Sequence, residues 1–507
     1  MSNITITHKK KKIISVSVND GDSFVLKDII EKYASDIYKD MYGSYNKSDD
    51  VATYWIEYNG YVFPNEKKFV CKCDMDFVLK CAIADRDAVN TSLEYNGFSD
   101  IPLNFTSDDA NGSTIEFDNS FNDIEVNLEY SSDNATWTIW DGSSISLNYG
   151  EKIYIRGKNR RINSIDGQGV FIISGATKAA GNIMSLICNK NNQFPDIVPE
   201  YCFYSLFSGC EITTAPELPC LQLSAGCYSS LFYECLLLAT APELPATTLS
   251  GAAGCYSYMF FGCISLVSAP KLPATELSED CYSYIFSGCT SLTVAPELPA
   301  TKLAPYCYFS AFEGCTSLTV APELPAAYTK DNSITGDIAI TLPSYCYAYM
   351  FYNTAITKMP ELKSQLIGEG SYTYMFGNCT SLTTTSKLEL YAVKSIGCRG
   401  MFYGCTSLTT SPTLVFCNMF YDPDPVSLTE HLAYMFKSCS SLSEIRIERN
   451  NIYLSISGAA TSQPIGYTIS KEWVDNISAS GTFYKDTSYN IPTSTSGIPS
   501  GWTVIDF

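Results

Sequence analysis

Histidine is nearly absent: the 507 residues contain two, His8 and His431. Most hydrolytic and zinc chemistry draws on imidazole, so those classes lose their usual residue. Charge is also scarce, at 17% of residues, and lopsided, with 33 Lys+Arg against 53 Asp+Glu for a net charge of −20. Such a balance repels phosphate backbones and excludes duplex nucleic acid as a default partner. No run of ~18 apolar residues free of proline and charge occurs, which argues against membrane insertion as a helix. An export signal needs an apolar core of ~7–15 residues behind its charges. Here Lys9, Lys10, Lys11 and Lys12 are followed only by IISVSV and then Asn19 and Asp20, which reads as a strand. The first cysteine is Cys71, so no lipoprotein acceptor lies near the start. The expectation is a chain made and folded in a cytoplasm.

What is present is apolar and aromatic, with 46% hydrophobic residues and 36 tyrosines, so burial is plentiful and disorder is excluded. A chain this long holds several domains or one repeat array. The sequence answers directly, because nine segments repeat: CFYSLFSGC (202–210), CYSSLFYEC (227–235), CYSYMFFGC (255–263), CYSYIFSGC (281–289), CYFSAFEGC (307–315), CYAYMFYNT (346–354), SYTYMFGNC (371–379), GCRGMFYGC (397–405) and HLAYMFKSC (431–439). Their anchors Phe207, Phe232, Phe260, Phe286, Phe312, Phe351, Phe376, Phe402 and Phe436 lie mostly 25 to 28 apart, with gaps of 39 and 34 where the chain carries insertions at 326–340 and 416–428. Most copies continue into a second half of the form TSLTxAPELPAT.

In CYSYMFFGC, positions 255, 259 and 263 are four apart, as are 256 and 260. This spacing predicts a short helix with Cys, Met, Tyr and Phe on its core side. The APELP run predicts a short extended rung with its Leu inward, since proline cannot serve a central strand. Neither half buries its apolar face alone, so stacked units must make the core. Before the repeats, residues 1–98 read as a small α+β domain with a helix over 26–42. Residues 99–184 read as an all-β, sandwich-like domain with strands such as STIEF, ATWTIW and KIYIRG. The repeats fill 185–448, and 449–507 forms a β-rich C-terminal cap.

The pattern FxGCxSLxxAPELPAT with CYxYMF in front resembles the BspA-type leucine-rich repeat of gut Bacteroidales and their phages, over about 185–448. The tail 481–507 is similar to the closing segment of such proteins, and 128–157 to the β-domain that precedes their repeats. The resemblance implies a multidomain chain whose main part is an α/β leucine-rich-repeat solenoid, and roles in adhesion, recognition or scaffolding.

Four features are candidates for chemistry or contact. Paired cysteines recur eight residues apart; eight helical residues rise ~12 Å, beyond the ~7 Å limit for a bridge, so a buried reduced ladder is expected rather than disulfides. No CxxC spacing or histidine cluster supports a metal, and Cys71, Cys73 and Cys81 fit a strand. A carboxylate column, Glu217, Glu243, Glu297, Glu323 and Glu361 with Lys271 interrupting, reads as a solvated edge that blocks lateral association, or as a cation or docking strip. Tyr258, Tyr284, Tyr349, Tyr374 and Tyr434 stand two before the anchor; they either stripe the surface as a binding face or pack on the neighbouring unit. The two insertions are binding loops or neutral drift.

No nucleophile and base pair, phosphate loop or metal spacing is found, so no enzyme, catalytic residue, metal or cofactor is expected. The resemblance implies a structural virion protein, a head or tail fibre or decoration, of a phage infecting Bacteroidales and assembled in the host cytoplasm. Residues 1–98, with Lys9, Lys10, Lys11 and Lys12, would attach it to other virion proteins. The repeats would meet a host-surface protein or glycan, in a homo-oligomer. The alternative is a bacterial cell-surface adhesin.

Overall fold

The computed structural model describes the strands of residues 1–83 and, from residue 101 onward, all residues except 119–125, 160, 163–169, 188–196, 326–341, 365, 391, 394, 417–429, 450–470 and 488–490. It divides into two compact units, Met1–Leu93 with Asn189–Asp196, and Glu94–Cys188 with Ile197–Phe507.

In the first unit, β1 (Ser2–His8), β2 (Lys11–Val18), β4 (Ala52–Tyr58), β5 (Tyr61–Phe63) and β7 (Met75–Ile83) form one sheet in the order β2-β1-β7-β4-β5, with β1 and β7 parallel. The short β3 (Ser23–Val25) and β6 (Lys68–Val70) pair separately. The helix expected over 26–42 lies outside the described residues, as do Cys71 and Cys73; Cys81 falls in β7.

The second unit opens with β8 (Leu103–Ser107), β9 (Ser113–Phe117), β10 (Leu128–Ser131), β11 (Thr138–Trp140), β12 (Ile145–Leu147), β13 (Lys152–Gly157), β14 (Phe171–Ser174) and β15 (Thr177–Ala180). They make two sheets, β12-β9-β14 and β11-β10-β13-β8-β15, and the second continues into the first rung of the repeats at Ile212–Thr214. Alternate residues Leu103, Phe105, Ile115, Phe117, Ile153 and Ile155 are buried between them, as period-two patterning requires.

The repeats overturn the α/β solenoid. Among the described residues the one helical element is a single 3-10 turn, Ile183–Leu186, and no repeat contains a helix. Each nine-residue motif is instead a ribbon of overlapping β-turns. In the third unit the amides of Ser257, Met259, Phe261 and Cys263 donate to the carbonyls of Gly254, Tyr256, Tyr258 and Phe260 at 3.1–3.2 Å, three residues back. The intervening amides of Tyr256, Tyr258, Phe260 and Gly262 leave the unit and donate to Cys281, Ser283, Ile285 and Ser287 at 2.8–3.1 Å. Alternate turns carry a positive φ at their third residue, at Tyr258 (57°) and Gly262 (69°), the sign a type II turn demands.

The physical reason for the difference is the period. A four-residue turn pair returns to the same face without drift, whereas four helical residues overshoot a full circle by ~40°. Both place 255, 259 and 263 together, so the spacing alone does not separate them. The ribbon buries neighbours in pairs, Cys255-Tyr256 and Met259-Phe260. Half its amides stay in the unit and half bind the next, so no motif forms on its own.

Stacking these ribbons gives continuous columns. Anchor rings from Phe207 to Phe436 lie face to face at 5.5–5.8 Å between centroids. A second column, Phe203, Tyr228, Tyr256, Tyr282, Tyr308, Tyr347 and Tyr372, stacks beside it at 5.7–6.2 Å. The second half of each unit is looser. Its prolines leave isolated parallel bridges, Thr214 to Thr240 to Ser268 to Val294, in place of strands, while Leu244, Leu272, Leu298 and Leu324 point into the core as expected. Where the APELP run gives way, strands appear: Leu388–Leu390, Thr410–Phe416, Glu444–Arg449, Thr482–Lys485 and Thr503–Asp506 form one parallel sheet. Its one register shift, between Thr410 and Thr413, falls at Pro412.

Both ends of the stack are closed. Phe171 of β14 stands in for an anchor, stacking on Phe207 at 5.4 Å and accepting the Cys210 thiol on its carbonyl at 3.0 Å. At the other end the cap contains a tenth turn that the motif search passes over. Tyr434, Phe436 and Ser438 donate to Lys471, Trp473 and Asp475, and Glu472 and Asn476 take the positive-φ places. Trp473 lies on Phe436 at 5.8 Å and anchors its indole N–H on the Gly497 carbonyl at 2.8 Å.

Candidate binding face

The five singled-out tyrosines share one backbone state. Tyr258, Tyr284, Tyr349, Tyr374 and Tyr434 have φ of 49° to 61°, as do Ser205, Ser230, Ser310 and Gly400 at the same place in the other units. A left-handed tyrosine costs about 1–2 kcal/mol against a relaxed one, so its ring must return something. It does so by leaning on the next unit. Tyr258 stacks on Tyr284 at 4.4 Å, Tyr349 on Tyr374 at 5.3 Å, and Tyr374 covers Gly400, where a Cβ would stand 2.4 Å from the ring. Stacked aromatics contribute about 0.5–1.5 kcal/mol beyond burial, comparable with the backbone cost.

These residues are half-buried rather than freely exposed, and the structure brings them together as two pairs plus Tyr434. Tyr434 sits among Arg399, Lys437 and Lys471 at 5.0–5.9 Å from its ring centroid. Arg399 is paired with Glu430 at 2.7 Å, and Lys437 with Glu472 and with Asp475 at 3.3 Å. The rings thus pack on the neighbouring unit while part of each stays accessible.

The motif reading missed the rest of this face. Tyr201, Tyr306 and Tyr345 take the positive-φ place four residues earlier; Tyr306 stacks on Tyr345 at 5.0 Å, and Tyr201 and Tyr345 cover Gly226 and Gly370. The residue after the anchor adds Tyr233, Phe261, Tyr352 and Tyr403, with Tyr233 on Phe261 at 4.8 Å. A signal existed in the Tyr that directly precedes the first cysteine in three units, in the same four-residue register as the Tyr column.

The thiol ladder does more than fill space. Cys210, Cys235, Cys263, Cys289, Cys315, Cys379, Cys405 and Cys439 each donate S–H to the carbonyl of the preceding anchor at 3.0–3.1 Å. The sixteen cysteines from Cys202 to Cys439 whose side chains are described are all buried, and burial pushes Cys289 and Cys439 up to about 12. In the sixth unit Thr354 takes the cysteine's place and meets Cys379 at 3.3 Å.

The carboxylate column is solvent-facing at Glu243, Glu297, Glu323 and Glu361, with Lys271 among them and Glu217 half-buried. Lys363 approaches Glu323 at 3.7 Å. Among the described residues no three His, Cys, Asp or Glu side chains stand in a group able to hold a metal ion. Of the attachment candidates, Lys11 and Lys12 open β2 opposite His8 and Thr7; Lys9 and Lys10 lie outside the described residues. The 326–340 insertion lies outside them too, as does that at 416–428 beyond Phe416. No helix is long and apolar enough to cross a membrane among the described residues. No protein-family model, curated protein or solved structure matches the chain.

Proposed function

We propose that the chain is a structural display protein, a virion fibre or decoration of a phage infecting Bacteroidales, attached through residues 1–98 and offering its turn face to a host-surface protein or glycan. The observation that carries the reading is the tyrosine face, a line of half-buried rings held unit after unit by a backbone ladder. Tyrosine combines an apolar body with a hydrogen-bonding tip and loses little side-chain entropy on contact, which suits it to interfaces. A second observation bears on the compartment: the eight ladder bonds need S–H, so the native core is built on reduced cysteine, in keeping with assembly in a host cytoplasm.

Gold labelling with an antibody to the repeats tests the placement. Label on particles supports the virion reading, and label confined to bacterial envelopes supports the adhesin. Replacing Tyr349 and Tyr374 with Ser, the residue that other units already tolerate there, is expected to weaken cell attachment at least tenfold while melting stays cooperative. Undiminished attachment removes the tyrosine face from the account.

A further inference from the structure

The fifth unit breaks the tyrosine column. Its motif reads CYFSAFEGC, so the aromatic moves one residue back, to Phe309, and Ser310 takes the positive-φ place at 51°. Phe309 fills the gap without stacking: it is inclined at 58° to Tyr284, 5.2 Å away, and at 54° to Tyr349, 5.8 Å away. Tyr349 in turn meets Tyr352 at 5.6 Å and 59°. Tilted contacts recur along the face, as between Tyr258 and Phe261 at 48° and Tyr374 and Tyr403 at 63°; here three of them run in succession through four rings, Tyr284, Phe309, Tyr349 and Tyr352.

Glu313 belongs to the same turn as Phe309 and lies next to Tyr352 in the stack: its amide donates to the Ser310 carbonyl at 3.2 Å, its carbonyl accepts the Gly288 amide of the fourth unit at 2.7 Å, and the following Gly314 amide donates to the Tyr352 carbonyl at 2.8 Å. It is half-buried; burial is the main cause that raises the phenols of Tyr284, Tyr349 and Tyr352, and the Glu313 charge adds to it in all three. Among the described residues no Lys or Arg pairs with it. The contrast is Lys437, at the same position of the ninth unit, which has both Glu472 and Asp475. Burial pushes the Glu313 carboxyl up, which is the cost of a carboxylate drawn from water without a cation.

We infer that Glu313, with Tyr284, Phe309, Tyr349 and Tyr352, forms a subsite for an alkylammonium group, supplied by a lysine side chain of the surface that the turn face contacts. The inference rests on the proposed binding role of that face. A carboxylate among tilted aromatic rings offers a cation both a counter-charge and π-faces. A compact ammonium meets a single half-buried carboxylate as a point charge, whereas a guanidinium fork seeks both oxygens in one plane. The net charge of −20 draws basic partners.

The test titrates the full chain with Nα-acetyl-lysinamide by ligand-observed NMR. Saturable binding is expected, weakened at least fivefold by Glu313→Gln and at least twofold by Phe309→Leu, with melting unchanged. Nα-acetyl-norleucinamide, which keeps the stem and lacks the charge, is expected not to bind. Equal binding of the norleucine compound, an unchanged titration in Glu313→Gln, or no saturable binding overturns the subsite. Tighter binding of Nα-acetyl-argininamide or glucosamine overturns the lysine assignment. If the Tyr349 and Tyr374 variants attach to cells normally while Glu313→Gln still loses lysinamide, the subsite stands and the attachment role falls. The reverse pattern removes the subsite alone.

Discussion

The two halves of one repeat solve the same stacking problem differently. In the turn half every second amide crosses to the next unit, rings stack in two columns, and a thiol closes the anchor carbonyl. In the rung half, proline removes donors, and between Thr293 and Thr301 the described backbone is linked to its neighbour only by the isolated bridge of Val294 to Ser268. The comparison teaches that a proline-rich segment can follow a stack that its neighbour in sequence enforces. Continuity along the molecule resides in the turns, and the rungs supply buried leucines and a tolerant surface.

Alkali should break the turn half most severely. Burial raises the ladder thiols, Cys289 from 9.0 to about 12. A group whose folded pKa is raised contributes stability that is complete below the unfolded value. That stability is lost as pH climbs from there to the folded value, because the unfolded chain releases its proton first. Each such thiol therefore removes up to about 1.4 kcal/mol per pH unit above about 9. Urea midpoints at pH 8 and pH 10 check this; a flat profile would mean that the thiols are not buried together.

A single anchor comes next. Phe286→Ala should cost about 3–5 kcal/mol and loosen the turn halves of the third to fifth units, since Phe286 stacks on both Phe260 and Phe312. Leu298→Ala, in the rung, should cost nearer 2 kcal/mol and stay local. Hydrogen exchange of the two variants measures the spread, and equal spread contradicts the division of labour. Smaller still is Cys289→Ala, which leaves the Phe260 carbonyl with one donor fewer; about 1–2 kcal/mol in urea melts is expected.

Much of this architecture was legible. The anchor phenylalanines, the inward leucines of the APELP runs and the buried cysteine columns follow from period and residue type. The helix did not survive because four-residue spacing serves a turn pair as well as a helix. The discriminating mark was the Gly or Asn after Phe-x in FxGC and FxNC, at Gly262, Gly288, Gly314 and Asn378, where φ is positive. An α-helix cannot hold such a residue at the same place in every copy. The tenth turn was hidden because Lys471–Asn476 keeps the backbone and none of the motif, Trp473 replacing the signature by bulk. On the binding face, the Tyr column was visible as a spacing. Glu313 was not, since only the displaced Phe309 and the fold's register set it among rings.

Residue-resolved hydrogen exchange across the fourth unit tests the central claim most directly. The account predicts that the amides of Tyr282, Tyr284, Phe286 and Gly288, which bind the fifth unit, are as protected as those of Ser283, Ile285, Ser287 and Cys289, which close turns within their own. It predicts that Ala295, Glu297, Leu298 and Ala300 exchange at least tenfold faster. Rung amides protected as well as the turn amides, or protection confined to one alternate set in the turns, would contradict it.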